Sequence, residues 1–222
     1  MRTFAIGDVH GHLALLLDLL GQIDGLAAGE PHRIVCLGDY IDRGPDSAGV
    51  VRFLRDLQAE RGREAVVCLK GNHEDMLLRA RRGDPIGWAW LDNGGYECLT
   101  SFGVDSAADI AESVVDWIEA CPSFFEDDRR YYVHAGLDPD RGRHDQRDED
   151  RLWIRSRFLD RNHDFGRFVV HGHTPQENGL PDLHPYRVNL DTGAAYGGPL
   201  TAAVFAEGRP DPVSFLRAYP CR

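Results

Sequence analysis

The chain has 222 residues, of which 42% are hydrophobic and 27% are charged, and its formal net charge is −11. The length suits one globular domain over residues 1–222, the hydrophobic fraction excludes a disordered chain, and no apolar run approaches the roughly 18–20 residues that span a bilayer. The acidic balance argues against nucleic acid or an anionic membrane as a partner, and the N-terminus lacks a secretory signal pattern, so we expect a cytoplasmic protein.

Seven short apolar runs, each with the length of a buried strand, predict β-strands. In chain order they cover residues 3–6, 34–37, 65–69, 131–133, 168–170, 186–190 and 200–205. Helical periodicity separates the first three runs, over residues 13–23 and 50–57. This alternation of strand and helix predicts an α/β fold.

Two further stretches stand out from this pattern. Residues 75–121 lack strand patterns and are predicted to be helical, with Trp88, Trp90, Leu91, Trp117 and Ile118 as buried anchors. Residues 138–150 are dense in charge and are predicted to form a solvated loop. A second interpretation of this loop is that its carboxylates favour basic or neutral peptides and repel polyanionic nucleotides.

Cysteine usage favours a reducing compartment. The five cysteines are an odd number and form no CxxC motif, so we expect neither a disulfide framework nor a cysteine zinc site. Cys36 and Cys68 lie within apolar runs and are predicted to be buried core thiols. The remaining cysteines are Cys98, Cys121 and Cys221.

Polar side chains follow five of the predicted strands directly, within about three residues of each strand end. The candidate metal ligands among them are Asp8, His10, Asp39, Asn72, His134 and His173. Because ligands bind at the carboxyl ends of strands in α/β sheets, these side chains are expected to share one edge. Glycines at positions 7, 38 and 71 precede three of the ligands and let the backbone turn sharply there.

The types of these side chains indicate the metal chemistry. Carboxylate, imidazole and amide oxygen without thiolate suit Mn, Fe or Zn. Six ligands are too many for one catalytic ion with an open position, so we predict two divalent ions that share one carboxylate. Two such ions roughly 3.5–4 Å apart clamp the attacking and leaving oxygens of a phosphoryl displacement. Arg43 follows the second block and suits a phosphate oxygen, whereas pattern alone says little about Arg155.

Three ordered blocks, GDVHG at 7–11, GDYIDRG at 38–44 and GNHE at 71–74, resemble the signature of the PPP family of phosphoprotein phosphatases. This family lies within the calcineurin-like metallophosphoesterases. Later HAG, LWIR, HGHTP and NLDTGA segments extend the resemblance over nearly the whole chain and are most similar to the small bacterial and bacteriophage lambda type. The resemblance implies two mixed β-sheets packed face to face, with helices on the outer faces.

The resemblance also implies a role for each motif residue. Asp8 and His10 would bind the first metal, Asp39 would bridge both, and Asn72, His134 and His173 would bind the second, most simply with manganese at both positions. His73 would be the general acid, Asp42 would orient it, and Arg43, Arg155 and Asn72 would bind phosphate. A hydroxide bridging the metals would be the nucleophile, without a phosphoenzyme.

The activity implied is hydrolysis of phosphoserine and phosphothreonine in proteins. A symmetrical dinucleoside tetraphosphate hydrolase is the alternative, since its motifs are very similar; the shorter chain and the HGHTP ending favour the phosphatase. A non-catalytic interaction protein is a third reading, which the complete ligand set opposes. Many relatives outside the PPP type carry another metal-binding histidine at the position that Pro175 occupies here. His171 is the alternative to His173 as a metal ligand, and its remaining role would be a hydrogen bond to one of the ligands.

Overall fold

The computed structural model describes residues 1–220, so that Cys221 lies outside the described residues. The first sheet contains β1 (Arg2–Ile6), β2 (His32–Cys36), β3 (Val66–Cys68), β9 (Leu200–Phe205) and β10 (Ser214–Ala218). Its order is β10–β9–β1–β2–β3, and β1, β2 and β3 are parallel. Their carboxyl ends therefore lie at one edge.

The second sheet contains β4 (Phe124–Glu126), β5 (Arg130–Val133), β6 (Phe168–His171), β7 (Asp182–Leu183) and β8 (Arg187–Asn189). Its order is β4–β5–β6–β8–β7, with β5, β6 and β8 parallel and the two edge strands antiparallel. Both sheets are thus mixed, and each has a parallel centre that delivers several strand ends to the same side.

The helices lie mainly in the connections of the first sheet and in the long segment before β4. They are α1 (Leu13–Ala27), α2 (Ser47–Arg61), α3 (Asn72–Arg81), α4 (Ile86–Trp90), α5 (Tyr96–Phe102), α6 (Glu112–Glu119), α7 (Asp148–Trp153) and α8 (Ser156–Leu159). A π-helical turn over Leu91–Gly95 joins α4 to α5. Within residues 1–220, no helix has both the length and the apolar character that crossing a membrane requires.

Alternating side chains build the two main parts of the core. In β1, Phe4 and Ile6 pack against the helices, whereas Ala5 faces the second sheet. The layer between the sheets also contains Val35 and Val170. This period of two is what a strand covered on both faces requires. The predicted fold, two packed mixed sheets with helices outside, is confirmed.

The seven predicted strands are all present, and β4, β7 and β10 are additional. The extra strands pair only at sheet edges and are short or partly exposed, so their sequences carry no clear apolar run. Cys36 and Cys68 are buried and free, as predicted, and so are Cys98 and Cys121.

The prediction that Trp88 is a buried anchor is wrong. Its residue surface is 78% exposed, whereas Trp90 is 1% exposed. Residues two apart on a helix point to nearly opposite sides, so that Trp90 faces the core while Trp88 faces solvent. The helical stretch is also interrupted, because Gly94 has a φ of +107° within the turn that follows α4.

The charged segment 138–150 is more ordered than a solvated loop. Gln146 is buried, accepts a hydrogen bond from the Asp138 backbone N–H, and donates to the backbone carbonyls of Asp138, Arg141 and Gly142. The end of the segment forms the first turn of α7. A single buried amide therefore fixes a loop whose composition alone suggests full solvation.

Candidate active site

The candidate ligands meet where the parallel strands of both sheets end. They are Asp8 and His10 after β1, Asp39 after β2, Asn72 after β3, His134 after β5 and His173 after β6, and the candidate general acid His73 lies beside Asn72. All seven residues are buried, with at most 4% of their surface exposed. Buried polar groups need partners, so this concentration calls for mutual hydrogen bonds or a bound ligand.

One group of donor atoms surrounds the imidazole of His134. Its Nε2 lies 2.8 Å from Asn72 Oδ1, 3.2 Å from His173 Nδ1 and 3.4 Å from Asp39 Oδ1. The Nδ1 of His134 lies 3.0 Å from the carbonyl oxygen of Leu37, which places the ring proton there. The Nε2 therefore presents a lone pair to the oxygen atoms of Asn72 and Asp39, which are acceptors too, and this arrangement fits a shared cation.

A second group lies on the other side of Asp39. His10 Nε2 is 3.4 Å from Asp39 Oδ2, while His10 Nδ1 faces the carbonyl oxygen of Ile41 at 2.9 Å. The two oxygens of Asp39 thus point to different imidazoles, Oδ1 to His134 and Oδ2 to His10. This arrangement is compatible with a carboxylate that two cations would share. The Asp8 carboxylate accepts the backbone N–H of His173 at 3.0 and 3.2 Å.

The electrostatics of the two groups also fit cations. Burial raises the pKa of Asp39 to about 7 and raises the pKa of Asp8, which also faces Asp191. Burial lowers the pKa of His134 to about 4 and lowers the pKa of His173 as well. Neutral imidazoles and clustered carboxylates are the form in which such side chains bind metal, and divalent ions would supply the missing positive charge.

His73 and Asp42 form a close buried pair. His73 Nδ1 lies 2.5 Å from Asp42 Oδ2, and His73 Nε2 points toward the ligand groups, 3.9 Å from Asp39 Oδ2. Asp42 also accepts hydrogen bonds from the indole N–H of Trp90. The pair can therefore hold an imidazole at the edge of the metal-binding groups.

Backbone strain is concentrated at this site. In residues 1–220, six non-glycine residues have a positive φ. Five are candidate site residues: His10, Asp39, Asp42, Arg43 and His173. The sixth, Ala28, follows α1 as its C-cap. Left-handed backbone costs on the order of 1–3 kcal/mol for such residues and persists where the surroundings enforce it, often at functional sites.

Glu74 organises two of the ligand loops, a role that sequence reasoning missed. Its carboxylate accepts hydrogen bonds from the backbone N–H groups of Asp39, Tyr40 and Gly71 at 2.8–2.9 Å. The loops meet at Gly38, whose φ is +103° and where an added Cβ would lie 2.5 Å from the Gly71 nitrogen. In the sequence, the position of Glu74 within the GNHE block is the one signal that could have indicated this role.

The two candidate phosphate-binding arginines differ in their surroundings. Arg43 is partly buried, with Nη1 2.7 Å from His10 Nε2 and its guanidinium 5.5 Å from the ring centre of Tyr196. Arg155 is exposed, and its Nη1 lies 3.5 Å from Thr174 Oγ1, beside His173. The structure therefore brings Arg43 into the site and places Arg155 at its rim.

Asp191 and His171 are two further buried titratable residues. Asp191 was not among the candidates, yet it is buried, and burial raises its pKa to about 7 beside Asp39. His171 packs on Phe158, and its Nδ1 lies 3.2 Å from the Gly172 carbonyl oxygen. Among the described residues, His171 makes no hydrogen bond to a candidate ligand, so the geometry does not support a role in orienting one.

Comparison with known proteins shows the family to which this chain is similar over most of its length. A family model described as "Calcineurin-like phosphoesterase" matches residues 1–206. Serine/threonine-protein phosphatase 1 of Salmonella typhimurium is 29% identical over 212 residues, which cover 91% of each chain. The fold is shared with a crystal structure of a cold-active protein tyrosine phosphatase, with a TM-score of 0.67, 21% identity, and coverage of 91% of this chain and 73% of that one.

Hydrolases of dinucleoside tetraphosphates are similar to this chain as well. The asymmetrical bis(5'-nucleosyl)-tetraphosphatase PrpE of Oceanobacillus iheyensis is 28% identical over 235 residues, covering 93% of this chain and 90% of that protein. A symmetrical bis(5'-nucleosyl)-tetraphosphatase of a Janthinobacterium species is 35% identical over 141 residues, covering 63% of this chain and 45% of that protein. The relatives therefore include enzymes named for phosphomonoester and for phosphoanhydride substrates.

Proposed function

This chain belongs to the calcineurin-like phosphoesterase family, and from that premise we propose that it hydrolyses phosphoserine and phosphothreonine in proteins. The family identifies the chain as a metal-dependent phosphoesterase. The observation that carries the choice of substrate is the charge of the surface around the candidate site. A second candidate, hydrolysis of dinucleoside tetraphosphates, is favoured by the similarity to enzymes of that name.

Acidic side chains outnumber basic ones in two clefts near the candidate site, one of which contains Arg43 and the other Trp153, whose ring centre lies 6.3 Å from that of His173. A cleft of about 540 Å³ contains Arg43 together with Asp92 and Glu97. A second cleft, of about 650 Å³, contains the acidic Asp75, Asp148 and Glu149 and one basic residue, Arg79. A tetraphosphate carries several negative charges that such walls repel, whereas a phosphoprotein brings one phosphate dianion on a chain that can be neutral or basic. The charge distribution therefore supports a protein substrate.

An exposed aromatic surface extends from the Arg43 cleft and suits an extended polypeptide. Leu91 and Tyr96 line both this cleft and a neighbouring groove of about 480 Å³, which also contains Trp88. Tyr96 is 58% exposed and Trp88 is 78% exposed. Exposed aromatic groups of this kind are enriched at binding surfaces. Apolar side chains flanking the phosphorylated residue would pack there.

The residues of the chain have distinct parts in the proposed reaction. Two divalent ions, for which we propose manganese, would supply Lewis-acid chemistry at the phosphate and lower the pKa of water when bound. Their ligands would be Asp8, His10, Asp39, Asn72, His134 and His173, with Asp39 shared. Two clusters of donor atoms support this assignment, one formed by Asp39, His134 and His173 and the other by His10, Asp39 and His73. This donor set also suits iron or zinc.

The remaining polar side chains would act on the substrate directly. The guanidinium of Arg43 would bind phosphate oxygens, and so would Arg155 at the rim and the Asn72 amide. His73 would donate a proton to the departing serine or threonine oxygen, and Asp42 would keep its Nδ1 proton in place. An alkoxide is a poor leaving group, so this proton transfer matters most for phosphoserine and phosphothreonine.

A charge-neutralising pair of substitutions tests the choice of substrate. We expect Asp92→Asn with Glu97→Gln to lower kcat/KM for a basic phosphoserine peptide by about two- to fivefold per charge and not to lower it for diadenosine tetraphosphate. Asp56→Asn with Glu60→Gln, on the exposed face of α2, makes the same charge change away from the site. An unchanged ratio of the two kcat/KM values would remove the electrostatic argument for protein substrates.

A further inference from the structure

Trp90 makes a contact that core packing does not require. It is 1% exposed, and its indole N–H donates to Asp42 Oδ2 at 2.9 Å and to Asp42 Oδ1 at 3.1 Å. Asp42 is itself 0% exposed, and its Oδ2 also meets His73 Nδ1 at 2.5 Å. One indole N–H thus spans both oxygens of the carboxylate that holds the candidate general acid.

We propose that Trp90 is a positioning residue that fixes the plane of the Asp42 carboxylate and, through it, the imidazole of His73. The inference rests on the proposed function, because it assigns Trp90 to the general acid of that reaction. A carboxylate rotates freely about its last side-chain bond, since the final torsion of aspartate is broad. A donor placed between the two oxygens removes that freedom and keeps Oδ2 directed at the imidazole.

The indole is itself held firmly in place. Trp90 ends α4 and belongs to the main hydrophobic core. The backbone of Gly95 lies directly against its ring, so that a Cβ there would approach a ring carbon to 2.8 Å. The following turn also returns to the site, because the Gly94 carbonyl oxygen accepts the backbone N–H of Arg43. The segment from α4 to Gly95 therefore supports two candidate site residues from outside the strand-end motifs.

Trp117 provides a matched control within the same core. It is 6% exposed, lies in α6, and donates its indole N–H to Gln58 Oε1 at 2.8 Å. Trp90→Phe and Trp117→Phe therefore remove the same atoms from the same cluster and each leaves one buried acceptor without its donor. Only the first touches the Asp42–His73 pair.

The test compares a substrate whose leaving group needs a proton with one whose leaving group needs it less. Manganese-loaded parent and variants would be assayed on a phosphoserine peptide and on 4-nitrophenyl phosphate. We expect Trp90→Phe to lower kcat for the peptide by about tenfold to a hundredfold, with KM little changed, and to lower kcat for the aryl phosphate much less. Trp117→Phe should leave the ratio of the two kcat values unchanged.

Two additions keep the test decisive if Trp90→Phe folds poorly. Replacing Trp90 with 3-benzothienyl-alanine keeps the shape of the ring and exchanges only the N–H for sulfur, and we expect the same selective loss. In an Asp42→Asn background, the selective effect of Trp90→Phe should disappear, because residues that act through one another are not additive.

The results that would overturn the inference differ from those that would overturn the proposed function. Equal losses on both substrates, or losses matched by Trp117→Phe, would show that Trp90 serves packing alone and would overturn the inference. If the parent protein hydrolysed neither substrate, the proposed function would fail first and the inference with it. An active parent with an unselective Trp90 variant would refute the inference and leave the proposed function standing.

Discussion

Metal affinity at the candidate centre should depend on pH through Asp39. Burial raises the pKa of this carboxyl to about 7 in the metal-free protein. Cations that bind this carboxylate must displace its proton, so affinity should rise with pH. His134 contributes little to this range, because burial lowers its pKa to about 4 and it is already neutral.

The size of the effect follows from the pKa. An acid with a pKa of about 7 is about nine-tenths protonated at pH 6 and about one-tenth protonated at pH 8. For this one group, apparent affinity at pH 6 should therefore be about tenfold weaker than at pH 8, which corresponds to about 1.4 kcal/mol. The proposed ligand Asp8, whose pKa burial also raises, and Asp191, whose pKa is raised to about 7, would increase this difference.

Isothermal titration of the metal-free protein with Mn²⁺ at pH 6, 7 and 8 would measure this dependence. Repeating the titration in buffers with different ionisation enthalpies would count the protons released, which we expect to approach one from Asp39 at pH 6. Asp56→Asn, an exposed change in α2, should leave both results as they are. Affinity independent of pH, with no proton release, would refute the assignment of Asp39 as a buried shared ligand.

Three other predictions concern the site and its backbone. His73→Asn should lower turnover of phosphoserine peptides by about a hundredfold or more and turnover of aryl phosphates less, as measured by steady-state kinetics; equal losses would count against a general acid. Gly38→Ala should lower the melting temperature and weaken Mn²⁺ binding, because its Cβ would overlap Gly71, whereas Gly29→Ala, at a φ of +83° in open space, should cost only about 1 kcal/mol in a denaturant titration. Arg43→Lys should lower kcat/KM for peptide and dinucleotide alike, since an ammonium cannot bind two phosphate oxygens in parallel; a loss confined to one substrate would contradict a general phosphate-binding role.

Much of the site could be predicted because most of its residues directly follow a β-strand in the sequence. Short apolar runs place β1, β2, β3, β5 and β6, and the polar residue after each run must then lie at the carboxyl edge. The family and the fold were likewise predicted from ordered motifs, and both are confirmed. The local sequence pattern is therefore sufficient to predict a site residue that directly follows a strand.

Contacts between distant segments could not be predicted in this way. Trp90 was expected only to be a core residue, because periodicity does not reveal which polar group a buried indole will meet. Glu74 lies in a motif, yet its bonds to the Asp39 and Tyr40 backbone exist only once β2 and β3 are paired. The prediction that Trp88 is buried was wrong because an aromatic residue in a helix is buried only when another part of the chain covers that face of the helix.

A direct comparison of substrates tests the central claim. Metal-stripped protein resupplied with Mn²⁺ would be given phosphoserine peptides and diadenosine tetraphosphate at equal concentration, with phosphate release and nucleotide products resolved. We predict that the protein strongly prefers the peptides and that a chelator abolishes their hydrolysis. A preference for the dinucleotide would contradict the protein phosphatase assignment while retaining the metal centre, and activity that persisted in the chelator would contradict the metal centre itself.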